Sequence, residues 1–271
     1  MLAVYAIVNG QDSGWTSLQT LGLLAIAVAL LGLFVLIESR VAAPLVPLRL
    51  FRIRNLATAN VVGVLWAAAM FAWFFLSALY LQLVLGYSPL QVGLAFLPAN
   101  LIMGAFSIGL SAKLVMRFGI KPPLAVGLLC AAAGLALFAR APIDGRFAID
   151  VLPPMLLLGF GAGIAFNPVL MAAMNDVAPS ESGLASGIVN TSFMMGGALG
   201  LAILASVAGA RTDTLSAAGA EHLAALNAGY HFAFLGGAVF ALIAAGAGAF
   251  FMRDGGIESQ AREPSETSHS A

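Results

Sequence analysis

The chain has 271 residues, 61% of them apolar, a mean hydropathy of +0.99 and no net charge. A soluble core of this length does not use so much apolar side chain, and a watery surface does not tolerate it, so the composition is that of a membrane protein. Zero net charge gives no electrostatic footprint for nucleic acid. The one cysteine, Cys130, can build neither a disulfide framework nor a thiolate metal site.

In chain order, residues 1–8 are an apolar stub of about 12 Å as a helix, under half of a bilayer core. The stub reads as the end of a span, or as an interfacial N-terminal segment. Residues 9–17 read as a polar loop with Trp15 at the interface. Residues 18–37 are the first full span, ended by Glu38, Ser39 and Arg40. Pro44, Pro47, Arg49, Arg52 and Arg54 mark residues 41–54 as an amphipathic elbow on an inner leaflet. Six more spans follow, at 57–79, 90–114, 124–138, 151–173, 184–208 and 230–252. Ser88, Pro89 and Gln91 form a capping-box start for the third span. Asp150 is placed to cap the fifth. Residues 211–229 read as a longer polar loop. The tail from Arg253, rich in Ser and Glu, reads as disordered.

Orientation follows from the cations. Alternation of spans puts Arg40, Arg49, Arg52, Arg54, Lys113, Arg117, Lys121, Arg253 and Arg262 on one side. It leaves Arg140, Arg146 and Arg211 on the other, which accounts for all twelve. The richer side is expected to be cytoplasmic, with the N-terminus outside and the C-terminus inside. The span interiors carry no Lys, Arg, Asp or Glu. His231 sits at a span boundary, and His222 and His269 lie outside. An intramembrane hydrolase would need a base or a metal within the bilayer, so an enzyme is not expected, and no cofactor or metal is expected either. Proton-driven transporters usually carry an intramembrane carboxylate or His, and these spans hold none.

The polar residues inside the spans are amides. Asn60, Asn167 and Asn190 share a depth of roughly 8–10 Å from the basic side. They read either as a polar ring on a substrate path or as bonds between helices. Asn100, beside Pro98, is the better pathway candidate, because an interrupted helix exposes backbone carbonyls to a cavity. Trp66 and Phe71 are candidates for a pocket wall, with lipid contact as the alternative. Gly159 and Gly163, Gly183 and Gly187, and Gly196 and Gly200 read as helix-packing positions.

Four segments together resemble the major facilitator superfamily. They are Pro44-Leu-Val-Pro47-Leu-Arg49-Leu-Phe51, the basic loop 112–123, Gly183-Leu-Ala-Ser-Gly187 with Asn190-Thr191-Ser192, and Gly196-Gly-Ala-Leu-Gly200. The fourteen-helix drug:proton antiporter branch is the most similar. In the loop, Arg117, Phe118, Gly119 and Lys121 match that superfamily's signature. Met116 stands where the pattern has Asp, and Ala112 where it has Gly. Phe193 and Met194 stand where relatives often show Arg and Gln.

The resemblance implies an all-α membrane fold of seven transmembrane helices, six of them a C-terminal transporter bundle at 55–252. Residues 1–17 would be the remnant of a linker helix and its external loop, 18–40 a linker helix, 41–54 a cytoplasmic elbow and 253–271 a cytoplasmic tail. It further implies half of an efflux transporter for lipophilic small molecules, lying in the inner membrane and lacking its amino-terminal half. The implied partners are the lipid bilayer, a small-molecule substrate, and the missing half or a partner subunit. Two other classes stay open: a scaffold or regulatory half-protein, and a metabolite transporter of the same fold.

Overall fold

The computed structural model describes residues 2–14, 17–41 and 47–252. Trp15, Pro44 and the tail from Arg253 lie outside the described residues, as does most of the elbow before Pro47. Every regular element among the described residues is helical, and seven helices are long and apolar enough to cross a membrane. In hydrocarbon only a helix or a closed barrel satisfies its backbone internally, and these runs choose the helix.

The elements are α1 (Leu2–Ser13), α2 (Leu18–Glu38), a 3₁₀ turn (Leu48–Arg52), α3 (Arg54–Leu79) and α4 (Pro89–Ala105). They continue with α5 (Ser111–Phe118), α6 (Lys121–Phe138), α7 (Leu152–Met174), α8 (Ser182–Ala217) and α9 (His222–Phe251). Three π turns interrupt or extend them: Tyr80–Val84 after α3, Phe106–Leu110 joining α4 to α5, and Phe147–Val151 before α7.

The start of α4 follows the sequence closely. Ser88 Oγ accepts from the Gln91 N–H, and Gln91 Oε1 accepts from the Ser88 N–H at 2.8 Å. Asp150 caps by another route: it lies inside the π turn, and its carboxylate accepts from the Arg146 N–H at 2.7 Å.

Two expected loops are shorter than the polar residues suggest. α1 runs on through residues 9–13, so the first loop is confined to residues near Gly14. α8 runs to Ala217 and α9 begins at His222, which leaves only residues 218–221 between them. The helix ladder needs no apolar side chain. Beyond the apolar core, the Thr212 and Thr214 hydroxyls donate to the Ala208 and Ala210 carbonyls and the helix continues. Gly219, at φ +84°, ends it.

α3 is the central helix, packed on α7, α8 and α9. Trp66, Trp73 and Tyr80 recur every seventh residue along one stripe and are fully buried. Small residues lie between them, and α8 uses these to approach closely. A Cβ on Gly196 would stand 2.6 Å from Val64 Cα, and one on Gly200 would stand 2.5 Å from Ala68 Cα. Both distances are inside van der Waals contact, so only glycine fits. α6 and α7 meet the same way: a Cβ on Gly127 would stand 2.8 Å from the Gly161 carbonyl oxygen.

The basic end of the bundle is tied together by polar contacts. Arg49 pairs with Glu181, the Asn55 amide donates to Asp176 at 2.8 Å, and Arg54 Nε donates to the Phe251 carbonyl at 3.0 Å. At the opposite end Tyr80 Oη donates to the Pro142 carbonyl at 2.6 Å, and the Asn227 amide donates to the Ala141 carbonyl at 3.0 Å. α2 stands apart. It packs on α1, and its residues Leu30 to Ile37 are largely exposed.

Candidate functional site

α3, α7 and α8 enclose a cavity of about 340 Å³ in the half of the bundle nearer the basic end. The opening follows from the distribution of small residues along α8. From Gly196 onward glycine brings α8 onto α3. In the turns before it, Ser186, Gly187 and Asn190 remain exposed. Gly187 has no atom within 4 Å of where a Cβ would stand, so its missing side chain leaves space. α3 contributes Trp66, and α7 contributes Phe166, Val169 and Leu170. Phe166, Leu170 and Met194 are between a third and a half exposed, so the cavity opens on the bundle surface.

The walls are aromatic and held by one another. The Phe193 ring meets Phe166 edge-to-face at 6.1 Å and Phe71 at 6.2 Å. Phe71 therefore stands behind the wall and props it, and is absent from the lining. Trp66 is 1% exposed, and its indole N–H has no partner among the described residues. The remaining polar side chains in the lining are Ser186 and Asn190, one turn apart on the same face of α8. Neither makes a hydrogen bond among the described residues, and no charged side chain lines the cavity there.

The other amides go elsewhere. Asn167 donates to the Ser107 carbonyl at 2.6 Å, inside the π turn that joins α4 to α5. This is the inter-helix bond of the second alternative. Its neighbour Pro168 has no N–H, which leaves the Ile164 carbonyl without its helical donor, and Ser111 Oγ supplies one at 3.0 Å. Asn60 is buried, donates to the Leu56 carbonyl of its own helix at 2.8 Å, and leaves its Oδ1 unpartnered among the described residues. The three amides of equal depth therefore face three different surroundings, with no hydrogen bond joining any two. Asn100 is exposed on α4, outside this lining, and has no hydrogen-bond partner among the described residues.

Of the six glycines read as packing positions, Gly159, Gly163, Gly196 and Gly200 face a neighbouring helix at contact distance. Gly183 and Gly187 do not: both face open space. Their pairing four apart on one helix face resembles a packing motif, but no helix among the described residues lies opposite. In the basic loop, Gly119 ends α5 at φ +79°, its N–H donating to the Val115 carbonyl. Arg117 lies 5.2 Å from the Phe118 ring centre, and Lys121 opens α6.

Phe166, Ser186, Phe193 and Met194 line the cavity without having been singled out as site residues. Met194 also lines a second apolar groove of about 440 Å³ between α8 and the α1–α2 pair. The presence of Phe193 and Met194 at positions where polar residues are common was the one sequence signal that pointed here.

Residues 2–201 match the family model described as Major Facilitator Superfamily. The chain belongs to the major facilitator superfamily. It is thus a multi-pass membrane protein of a transporter family, not an enzyme. This superfamily member is 35% identical over 231 residues to the puromycin resistance protein of Streptomyces alboniger, covering 84% of this chain and 46% of the relative. It is 33% identical over 249 residues to the cephamycin export protein of Amycolatopsis lactamdurans, covering 89% and 48% respectively. It is 35% identical over 207 residues to the tetracenomycin C resistance and export protein of Streptomyces glaucescens, covering 74% and 37%. The chain spans about half the length, or less, of these curated relatives.

Proposed function

We propose that this chain supplies the carboxy-terminal bundle and a linker helix of a secondary exporter for lipophilic small molecules. The cavity between α3, α7 and α8 is its share of the substrate site. The observation that carries this is the cavity itself: about 340 Å³, aromatic-walled, uncharged, and open on the bundle surface. That volume and lining suit a drug-sized apolar ligand. The names of the relatives, resistance and export proteins for antibiotics, support the same substrate class. The basic end is assigned to the cytoplasm, a reading supported by the distribution of Lys and Arg, and the cavity is then in the cytoplasmic half.

Uphill export needs a coupled downhill flow, and protons are the proposed coupling ion. A coupling site is a group whose occupancy differs between inward- and outward-facing states. The interiors of these spans carry no carboxylate, and the coupling group is assigned to the amino-terminal bundle that completes the transporter. Alternating access also requires two bundles to rock against each other. The chain alone is therefore not competent.

The test is a chimera in which this chain replaces the matching half of the puromycin resistance protein, expressed in cells stripped of their own exporters. The chimera should lower accumulation of a lipophilic dye, and an uncoupler should restore it. This chain expressed alone should do neither. Uncoupler-sensitive dye export by the chain alone would refute the assignment of coupling to the other half. A well-inserted chimera that exports nothing would refute the exporter role.

A further inference from the structure

We propose that the α3–α7–α8 cavity selects flat, uncharged aromatic molecules that carry a hydrogen-bonding group, and that Asn190 is the residue that sets this preference. The proposal rests on the cavity being the substrate site and adds to it a class of substrate and a determinant.

The aromatic part follows from the walls. Phe166 and Phe193 meet edge-to-face and Trp66 lines the same cavity, so a planar ring entering beside them extends an existing edge-to-face set. The uncharged part follows from what the walls lack. A cation moved from water into this lining loses hydration and finds no carboxylate. Ring attraction for a cation exists, but it does not replace hydration.

The nearest acids do not help. Glu181 is paired with Arg49, and Asp176 already accepts from the Asn55 amide. Glu181 also precedes Asn190 by nine residues, about 13 Å along a helix. Glu181, its side chain 19% exposed, is neutralised by Arg49 and stands too far along the chain to meet a ligand at Asn190.

The hydrogen-bonding part follows from Asn190. Its amide offers both a donor and an acceptor, and neither is used within the described residues. It is exposed at the cavity, with Ser186 one turn before it. A ligand with an N–H at its edge donates to the amide oxygen. One without it leaves that oxygen facing an apolar surface, which is how a polar site rejects an apolar analogue.

The experiment uses the full chain in phosphatidylcholine nanodiscs and three tricyclic probes of nearly one shape. Acridone is neutral with an N–H and a C=O, N-methylacridone lacks the N–H, and N-methylacridinium is a permanent cation. Binding is read from probe fluorescence, with empty discs subtracted. Acridone should bind at least about tenfold more tightly than N-methylacridinium. Asn190→Ala should cost acridone about tenfold, the usual scale for one unmet hydrogen bond, and change N-methylacridone less than threefold. Asn190→Asp, which keeps the shape and adds charge, should reverse the order at pH 8 so that the cation binds best.

Gly187→Phe fills the cavity and should abolish saturable binding of all three probes. Thermal melts of each variant check that the bundle still folds. Equal or tighter binding of N-methylacridinium by the native chain would overturn the preference while leaving the cavity as the site, provided Gly187→Phe removes that binding. Unchanged acridone binding in Asn190→Ala would overturn the role of Asn190. Binding no greater than in empty discs would overturn both the preference and the cavity as a site. Saturable binding that Gly187→Phe leaves intact would do the same.

Discussion

Gly200 and Gly187 sit thirteen residues apart on α8, and adding one methyl group should have opposite consequences at the two. At Gly200 the new Cβ would stand 2.5 Å from Ala68 Cα on α3, with the Ala68 methyl nearer still. Carbon atoms in contact prefer about 3.5–4.0 Å, so α8 must retreat from α3 by about 1 Å or more. The obstacle is backbone and Cβ on both sides, which cannot rotate away. Overpacking of this kind costs about 1–3 kcal/mol, and the rigid setting puts Gly200→Ala at the upper end. At about 2–4 °C per kcal/mol for a chain of this size, the melting temperature should fall by about 6–12 °C. At Gly187 nothing lies within 4 Å. Alanine there brings only its better helix propensity, up to about 1 kcal/mol, so Gly187→Ala should melt at or slightly above the parent. Scanning fluorimetry of the two purified variants in one detergent measures both. Equal melting temperatures, or a Gly187→Ala loss as large as that of Gly200→Ala, would show that α3 and α8 do not meet through Gly200.

Ser111→Ala should cost about 1–3 kcal/mol by stripping the donor from the buried Ile164 carbonyl. In a Pro168→Ala background, where the backbone N–H is restored, the same change should cost much less. A double-mutant cycle of thermal melts reads the coupling, and strict additivity would break the link between that proline and that serine. Orientation is checked by single cysteines in a Cys130→Ala background: those at Asp144 and Ala220 should label from outside intact cells, and those at Phe118 and Ser180 should not. Labelling of Phe118→Cys from outside would invert the topology. Asn100→Ala, at an exposed and unbonded amide, should leave the melting temperature within about 2 °C, the change expected of a surface position. If Asn100 faces the pathway of the completed exporter, its substrate range should shift in the chimera; a stability loss without that shift would remove it from the pathway.

Much of the fold is legible because hydropathy counts residues and a bilayer fixes how many are needed. The capping box at Ser88 is legible because all its partners lie within three residues. Helix ends past the apolar core are not, since the stretch from Arg211 to Ala217 keeps its hydrogen-bond ladder without any change of pattern in the apolar residues. Pro168 and Ser111 are chemically complementary, but they lie 57 positions apart and nothing local joins them.

The cavity leaves little trace in the sequence. A span that is apolar on every side carries no stripe to say which side meets protein. Phe166 therefore looks like any lipid-facing phenylalanine until α8 is in place beside it. Asn167 and Asn190 are the same residue at the same depth, and only what stands opposite makes one a bond between helices and the other a free amide in a cavity.

α2 has the highest mean hydropathy of the seven spans, 2.8, and the smallest buried share, 11%. Where the surrounding medium is fluid hydrocarbon, shape goes unread and only oiliness is checked. Leu30, Phe34 and Ile37 should therefore be freely interchangeable with other aliphatic or aromatic residues, while Trp66 and Ala68 of α3 should tolerate almost nothing. Across a saturating mutational library the two helices would give opposite profiles. α2 would be permissive to any apolar letter and closed to charge. α3 would be demanding at each position in turn, because its neighbours there are solid.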